Sequence, residues 1–587
     1  MEKESSMDRR SFLTGAVGVG AAVAAGSLAA TQLASADEAA DGEESSADEA
    51  ADSDEASEEE TDSESDASDE QAAFEAAAEP IDPVTPPETY DYEADVVIVG
   101  SGAGGVMAAM RLADAGLSVA LVEKASVIGG ESRYAMYIIN PGGNQIAESY
   151  EYAMPSYPYD LESLLSWLQV DEYQYTADSD LLRAIYTAGP DAINWLIDEG
   201  GCNLDALYRS ASGCSMLYWD QDCDSGEDPI EKVGWGDWFT NLQDEVLPEK
   251  GVEMYLSTEA TALVQDENGR IVGIKAEADG AELYFHANAA VLLTAGDFSN
   301  NRALWKKYCP RSLETVGSLP GWGENTGEVL RMCLGVGADI AGYDTIGMSD
   351  CDVKWGEQDE YSLELPTHLI SEGQTVANQP WMRVNNRGER VPYGGVQPAV
   401  YVANPKTYAI FDEKWRELIP ENYFGTRGPY YCTNRSDNFQ TLIDNGYVQT
   451  ADTIEELEEK LGLNEGILSE NVAQWNEACE TGEDWMEYTP YDSSYLVSID
   501  EPPYYGVALG GTVWAVKCGV RVNSSMQVLS TDGSVIPGLY AGFHTAGGQA
   551  GEMTLSSMSV TAYGQLGMSF VGGYMAADAI AEESAQA

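Results

Sequence analysis

One stretch near residue 100 constrains the fold more than any other. Residues 96–124 read VVIVGSGAGGVMAAMRLADAGLSVALVEK. A short β-branched run is followed by a cluster of glycines, an apolar pattern of helical period and a second β-branched run. This order predicts a strand, a tight turn, a helix and a strand, which is the opening of a doubly wound parallel sheet. A glycine-rich turn that binds no ligand is the alternative interpretation.

The glycines of this turn suit a nucleotide diphosphate. Gly100 permits the tight turn, Gly102 lets the backbone approach the diphosphate, and Gly105 lets the helix pack closely on the sheet. The helix N-terminus would present N–H donors and a positive dipole to the phosphates. Glu123 ends the second strand, where a carboxylate accepts the ribose hydroxyls and disfavours a 2′-phosphate. The turn alone does not distinguish NAD from FAD.

The N-terminal segment has the features of an export signal. Residues 7–36 read MDRRSFLTGAVGVGAAVAAGSLAATQLASA, with Arg9 and Arg10 ahead of a run rich in glycine and alanine. This pattern predicts a twin-arginine signal peptide over residues 1–36 and an extracytoplasmic location. A membrane anchor is the alternative, but a spanning helix needs about 20 strongly apolar residues. We therefore expect no stable membrane span after signal cleavage.

An acidic, low-complexity segment follows over residues 37–89. It holds 22 of the 100 acidic residues and no basic residue, which leaves −49 of the net charge of −71 for the rest of the chain. Such a composition cannot bury enough apolar surface to fold, so the segment is predicted to be a disordered linker. A body this negative repels nucleic acid and anionic lipid and could attract a basic redox protein.

The nine cysteines carry little information about function. None forms C-x-x-C or C-x-x-C-H, so no covalently attached haem is encoded. Scattered buried thiols are the main interpretation. An iron–sulfur cluster from Cys202, Cys214 and Cys223 is the alternative, although the spacings match no defined ligand pattern. We predict no metal site.

Several distant motifs, taken in order, carry a family resemblance. They are AAVLLTAGD at 289–297, GGES at 129–132, NTGE at 325–328, VNNRGER at 384–390 and IPGLYAGFHTAGG at 536–548. From about residue 90 onward the chain resembles the FAD-dependent oxidoreductases that include fumarate reductase flavoprotein subunits, flavocytochrome fumarate reductases and 3-oxosteroid dehydrogenases.

The resemblance implies the fold class and the domain organisation. The expected fold is α/β, with a Rossmann-like doubly wound FAD-binding domain and an inserted α+β capping domain. The FAD-binding domain would comprise residues 90–344 and 504–587, and the capping domain residues 345–503. FAD would lie extended across the first domain, and the reaction would take place in the cleft beneath the cap.

The resemblance also implies which residues contact FAD. His544 would lie beside the ribityl chain, with a merely packed imidazole as the alternative. Backbone N–H groups at the start of the last helix would face flavin N1 and O2 and stabilise negative charge there. The predicted cofactor-binding residues are Gly100, Gly102, Ala103, Gly104, Gly105, Glu123, Lys124, Gly130, Glu131, Ser132, Ala262, Thr294, Ala295, Gly296, Asp297, His544, Ser556, Ser557 and Ser559.

The substrate side departs from the fumarate-reducing pattern. By the resemblance, Thr554 falls where the family has a carboxylate-clamping arginine, Ala515 where it has a histidine, and Pro398 where it has a proton-donating arginine. Without these cations the site is ill suited to a small dianion. Aromatic residues suggest instead a less charged pocket; they are Tyr393, Tyr401, Tyr504, Tyr505 and Trp514.

Three residues form the predicted catalytic set. Steroid-dehydrogenating relatives carry a tyrosine eight residues after the motif arginine, which here is Arg390. Tyr401 lies one helical turn beyond that position and is predicted to be the phenol acid or base, and Tyr505 completes the set. A buried, hydrogen-bonded tyrosine with no catalytic role is the alternative for Tyr401.

These features predict an exported flavoenzyme of anaerobic respiration. It would reduce an activated C=C bond of a small unsaturated organic substrate other than fumarate, with hydride chemistry supplied by FAD. Electrons would come from membrane quinol through a separate cytochrome. The alternatives are a dehydrogenase of 3-oxosteroids or related alicyclic ketones and a flavin-retaining binding protein without catalysis.

Overall fold

A computed structural model gives the fold of the protein. It describes residues 70–135, 137–139, 143–145, 162, 165, 177–202, 204, 206–209, 215–218, 235–314, 316–320, 324–353, 361–362, 367–368, 381–391, 406–418, 442–444, 446–483, 496–552, 555–556 and 564–586. All elements and contacts given for the protein belong to these residues.

The described strands are numbered in chain order. They are β1 (Tyr92–Val99), β2 (Val119–Val122), β3 (Tyr137–Ile139), β4 (Ala206–Arg209), β5 (Ser215–Tyr218), β6 (Glu253–Tyr255), β7 (Glu259–Gln265), β8 (Ile271–Ala278), β9 (Ala281–Leu293), β10 (Val316–Pro320), β11 (Ile340–Ala341), β12 (Ile346–Val353), β13 (Thr367–His368), β14 (Met382–Asn385), β15 (Thr407–Asp412), β16 (Val448–Ala451), β17 (Tyr504–Val516), β18 (Gly519–Val520), β19 (Gln527–Leu529), β20 (Val535–Ala541) and β21 (Leu555–Ser556).

The described helices are numbered in the same way. They are α1 (Ala103–Asp114), α2 (Ser179–Asp198), α3 (Trp235–Asn241), α4 (Leu247–Glu249), α5 (Arg302–Tyr308), α6 (Pro310–Leu313), α7 (Glu328–Gly335), α8 (Trp415–Leu418), α9 (Ile454–Lys460), α10 (Ile467–Thr481) and α11 (Gly564–Gln586). A 3₁₀ turn spans Gly130–Tyr134, and a π-helical turn spans Leu242–Val246.

The first sheet forms the core of the FAD-binding domain. Strands β20, β9, β1, β2 and β6 lie side by side in parallel, and the β7–β8 hairpin pairs with β9. Residues Val96–Ile98 of β1 are fully buried, as a central parallel strand covered on both faces requires. Helices α1 and α11 pack against one another over this sheet. The predicted doubly wound α/β fold is confirmed.

The second sheet contains the described strands of the predicted capping domain, together with β10, β17 and β21 from the predicted FAD-binding domain. We refer to this sheet and the helices packed on it as the cap. Strand β17 is its centre and pairs with β10, β12, β15 and β16. Tyr505, Val507 and Leu509 of β17 are buried with Trp381 and Phe411 in one apolar cluster. Helices α9 and α10 cover the opposite face, where Trp475 is buried.

Strand β17 reaches both the cap and the first domain. Its first half, from Tyr504, pairs with β15 and β16, whereas its second half pairs with β12 as far as Val516. The Val516 N–H then donates to Asp297, which follows β9 of the first sheet. The proposed boundary before Tyr504 therefore falls at the start of a strand that belongs to the second sheet.

Residues 70–88, assigned above to the linker, pack on the FAD-binding domain. A helical segment over residues 70–76 buries Phe74, and the N–H of Ile81 donates to Arg331 O at 2.9 Å. Val84 pairs with Val264 of β7. Three apolar residues favour this packing, namely Phe74, Ile81 and Val84. The prediction of disorder rested on the average composition of the segment, which three apolar residues hardly change. Residues 37–69 lie outside the described part of the chain.

The predicted signal peptide, residues 1–36, lies outside the described residues as well. Within the part of the chain that the structure covers, no helix combines the length and the apolar character needed to cross a bilayer. The same residues contain no cluster of three metal-ligating side chains. Among the described cysteines, Cys202, Cys309, Cys333 and Cys518 are free thiols.

Candidate active site

A cavity of about 440 Å³ opens at the carboxyl ends of β1, β2 and β9. Residues 99–104 line it after β1, residues 122–125 after β2, and residues 294–297 after β9. Because adjacent parallel strands end at the same edge of a sheet, three separate turns converge here. The cavity then continues to Trp514 and Ala515 of β17 and to His544 and Gln565.

The glycine turn has the geometry of a diphosphate cradle. Gly100 has φ +94°, a conformation that side chains disfavour. A Cβ on Gly105 would overlap with the carbonyl of Gly100, so this glycine permits the close approach of α1 to the sheet. A Cβ on Gly102 would meet nothing nearer than Ser132 Oγ at 3.6 Å and would enter the cavity. The N-terminus of α1 therefore faces open space.

Glu123 braces the glycine turn as well as lining the cavity. Ser101 donates to Glu123 Oε2 through its N–H at 2.9 Å and through its hydroxyl at 2.6 Å. The Ala125 N–H donates to Oε1 at 2.9 Å. These bonds fix the carboxylate at the predicted ribose position, where its remaining lone pairs face the cavity.

Two carboxyl groups, the partly exposed Glu131 and the buried Asp297, line the cavity. Burial and the nearby charge of Asp297 raise the pKa of Glu131 to about 8, against a hydrogen bond from Asn325. Burial also raises the pKa of Asp297, whereas its interaction with His544 lowers that pKa. Asp297 accepts N–H bonds from Ser299 at 2.8 Å and from Val516 at 2.6 Å, which favour its charged form. Glu131 is therefore the member of the pair that holds a proton at neutral pH.

The end of the cavity away from the glycine turn is aromatic and largely neutral. Trp514, Ala515 and Phe543 line it together with His544 and Gln565. His544 Nε2 bonds to the carbonyl of Gln565 at 3.0 Å, so Nε2 carries the hydrogen and Nδ1 is an acceptor. Burial lowers the pKa of His544, which keeps the imidazole neutral.

The cavity fits FAD. Within the described residues, His544 Nδ1 and Gln565 Nε2 are buried polar atoms that have no hydrogen-bond partner, as expected where a polar ligand completes the site. The glycine turn would hold the diphosphate, Glu123 the ribose, and the His544 end the isoalloxazine ring. The predicted residues that line the cavity are Gly100, Gly102, Ala103, Gly104, Glu123, Lys124, Gly130, Glu131, Ser132, Thr294, Ala295, Gly296, Asp297 and His544.

Other predicted cofactor residues lie elsewhere or cannot be described. Gly105 lies behind the turn, and Ala262 is buried in β7 while Ala260 lines the cavity. Strand β7 has a register shift between Ala260 and Ala262, and such a shift changes which face a residue occupies. Ser556 lies in β21, where it pairs with Gly347 of β12, and is not among the lining residues. Ser557 and Ser559 lie outside the described residues.

The structure does not bring Arg390 or Tyr505 to this cavity. The Arg390 guanidinium lies 4.7 Å from the ring centre of Trp475 in the cap. Tyr505 stacks on Phe411 at 5.3 Å and donates its hydroxyl to Glu413. Both side chains are thus held by the cap core. Tyr393, Tyr401, Pro398 and Thr554 lie outside the described residues.

Sequence reasoning missed four residues of the site. Ser101 orients Glu123, Asn325 bonds to Glu131, Gln565 lines the ring end, and Lys517 is fully buried behind it. A lysine amid the apolar run WAVKCGV was the one signal in the sequence, because buried lysines are rare. The other three depend on contacts between distant segments.

Comparison with known proteins agrees with this geometry. The model of a family described as FAD binding domain matches residues 95–560. The chain belongs to this family. Its members bind FAD, and this protein is an FAD-dependent oxidoreductase.

Two relatives and one solved structure illustrate the similarity. Urocanate reductase of Eggerthella lenta is 26% identical over 81% of this chain and 73% of that protein. Vinyl phenol reductase of Lactiplantibacillus plantarum is 27% identical over 80% of this chain and 93% of that protein. A 3-ketosteroid-Δ4-(5α)-dehydrogenase from Rhodococcus jostii RHA1 shares the fold, with a TM-score of 0.61 and 23% identity over 85% of this chain and 100% of that one.

Proposed function

We propose that this protein is an exported FAD-dependent reductase of an activated C=C bond, acting on an unsaturated organic substrate other than fumarate. The observation that carries this proposal is the composition of the ring end of the cavity. Among the described residues, this end is lined by Trp514, Ala515, Phe543, His544 and Gln565. Lys124 and Arg133 also line the cavity, but Lys124 pairs with Glu324 and Glu328, and Arg133 bonds to the Ile128 carbonyl and to Thr240. The lining of the ring end thus offers no cation of its own to clamp two carboxylates.

The substrate class follows from the same surfaces. When bound, FAD supplies the hydride. Trp514 offers an aromatic wall, and neutral His544 adds no charge, so a planar, conjugated molecule with at most one carboxylate suits the site. The names of the two relatives, urocanate reductase and vinyl phenol reductase, denote substrates of this kind. We therefore favour enoates attached to a ring, enones and vinyl arenes.

The proton donor, location and electron supply belong to the proposal as well. Tyr401 is the proposed acid that protonates the carbon next to the one that receives hydride. Twin-arginine export would deliver the folded holoenzyme outside the cytoplasm, where a quinol-linked cytochrome would reduce it. The net charge of the chain, −71, favours a basic electron donor.

The decisive experiment is reoxidation of the photoreduced holoenzyme without oxygen. Flavin absorbance is followed after mixing with aryl enoates, enones, vinyl phenols or fumarate. We expect rapid reoxidation by one of the first three classes and at least 100-fold slower reoxidation by fumarate. Rapid reoxidation by dicarboxylates alone would refute the proposal. No reoxidation by any class would favour the flavin-retaining binding protein, and dye-coupled oxidation of ketosteroids would favour the dehydrogenase.

A substitution tests the role of the neutral ring end directly. Ala515→His introduces the side chain that the resemblance implies for fumarate-reducing relatives, and it should raise the fumarate rate while lowering the rate with the preferred substrate. Gln449→His places the same side chain on β16, outside the cavity, and serves as the matched control. Equal effects of the two substitutions would show that Ala515 does not face the substrate.

A further inference from the structure

Lys517 is a fully buried lysine whose role the proposed reaction leaves open. Its side chain has 0% exposure, and it directly follows Trp514, Ala515 and Val516 at the end of β17. Its backbone is fixed on both sides, since its N–H donates to Thr345 O at 2.9 Å and its carbonyl accepts from the Gly548 N–H at 3.3 Å. The chain therefore holds this lysine rigidly behind the ring end of the cavity.

Lys517 packs against Gln565 and acts electrostatically on His544, and both of these residues line the cavity. A Cβ on Gly347 of β12 would lie 3.3 Å from Lys517 Cε and would collide with the amide nitrogen of Gln565. Lys517 and Gln565 therefore pack side by side over Gly347. The charge of Lys517 also lowers the pKa of His544, whose Nε2 bonds to Gln565. Lys517 thus lies immediately behind two residues that line the flavin end.

An extended FAD would place its isoalloxazine ring at the end of the cavity away from the glycine turn. With the diphosphate held near Gly102, the other end of the dinucleotide would reach Trp514, His544 and Gln565. Reduction of the ring by two electrons and one proton leaves one negative charge on it. A charge of that sign at close range in a dry interior favours the protonated form of a nearby amine.

We propose that Lys517 is the group that takes up a proton when the flavin is reduced. In the oxidised holoenzyme above neutral pH the amine is neutral, because burial lowers the pKa of Lys517 to about 7. In the reduced holoenzyme it is an ammonium. The flavin gains two electrons and one proton, and the amine gains a second proton from solvent. Reduction therefore leaves the net charge of the site unchanged, and the inference does not depend on which substrate is reduced.

The other titratable groups near Lys517 lie in different surroundings. On the cavity side lie His544, Asp297 and Glu131, and His544 has its Nε2 hydrogen committed to Gln565. The adjacent residue, Cys518, interacts with Cys309, Asp344 and Glu552. Burial raises the pKa of Cys518, so it stays a neutral thiol in both redox states.

Spectroelectrochemistry of the holoenzyme tests the proposal without turnover. The slope of the flavin midpoint potential against pH reports protons taken up per electron. Between pH 8 and 9 we expect two protons per two electrons in the unmodified holoenzyme, with the absorbance of anionic reduced flavin. Lys517→Met should halve the slope and lower the midpoint potential, because no ammonium forms. Lys275→Met, a surface lysine paired with Glu282, should keep the original slope.

A second variant keeps the test informative if Lys517→Met loses FAD. Lys517→Arg carries a permanent charge, so it should show one proton per two electrons and a midpoint potential above that of the unmodified holoenzyme at pH 9. A slope of one proton per two electrons in the unmodified holoenzyme would overturn the proposal. So would an unchanged slope in Lys517→Met or Lys517→Arg, since the second proton would then reside elsewhere.

Discussion

At the scale of single residues, Gly102 and Gly105 of the glycine turn have different structural roles. A Cβ at Gly105 would overlap with the Gly100 carbonyl, whereas a Cβ at Gly102 would enter the cavity. Gly105→Ala should therefore destabilise the apoprotein by about 3 kcal/mol through overpacking. Gly102→Ala should leave apoprotein stability nearly unchanged and weaken FAD binding at least tenfold. Denaturant unfolding and flavin titration measure the two effects, and equal loss of stability in both variants would contradict this assignment.

Glu131 makes the stability of the apoprotein depend on pH. Its pKa rises from the ordinary value of 4.5 to about 8 in the folded protein, so folding favours its protonated form. The stabilisation is complete below pH 4.5 and is lost as pH rises through about 8. Glu131→Gln should flatten this part of the profile, measured by urea unfolding of the apoprotein from pH 5 to 9. Glu282→Gln on the exposed edge of β9 should leave the slope intact; a wild-type slope in Glu131→Gln would disprove the assignment.

At the scale of elements, local pattern predicts β1, α1 and β2 because their apolar periodicity and glycines lie within one continuous stretch. Local pattern does not predict which residues face the cavity where this depends on the pairing of distant strands. The register shift in β7 brings Ala260 rather than Ala262 to the cavity. Alternate residues of β17 face opposite sides of the sheet, and Tyr505 faces the apolar cluster of the cap that contains Trp381 and Phe411. The sequence around Tyr505 does not indicate which side of this strand is buried. Lys517 and Gln565 are distant in the sequence and come together over Gly347 of β12.

Strand β17 allows a test of the Tyr505 environment. Its hydroxyl bonds to Glu413 inside the cap, so Tyr505→Phe removes one buried hydrogen bond. We expect a loss of about 1 kcal/mol in the free energy of unfolding and an unchanged rate of flavin reoxidation by substrate. A large fall in that rate with unchanged stability would instead restore the predicted catalytic role.

The segment over residues 70–88 acts as an element of the FAD-binding domain. Arg331 donates to the carbonyls of Ala76 and Glu79, and Lys307 donates to that of Ala78. A chain lacking residues 1–89 should therefore have a lower Tm than a chain lacking residues 1–69, because only the former loses Phe74 and Val84. Equal Tm values by calorimetry would show that the segment contributes nothing.

At the scale of the whole molecule, the net charge of −71 governs encounters with electron donors. A cationic donor such as reduced methyl viologen should transfer electrons to the oxidised holoenzyme at a rate that falls steeply with rising salt. An anionic donor such as dithionite should show the opposite trend. Stopped-flow rates at several ionic strengths measure both, and salt-independent rates for both donors would mean that surface charge does not steer this encounter.

The continuity of β17 has a consequence for the holoenzyme as a whole. One end of this strand is buried among the tryptophans and tyrosines of the cap, and the other is bonded through the Val516 N–H to Asp297, which lines the cavity. Movement of the cap would therefore displace a residue of the cofactor pocket. Heat should melt the cap and the cofactor pocket in a single cooperative step, rather than as two separable bodies.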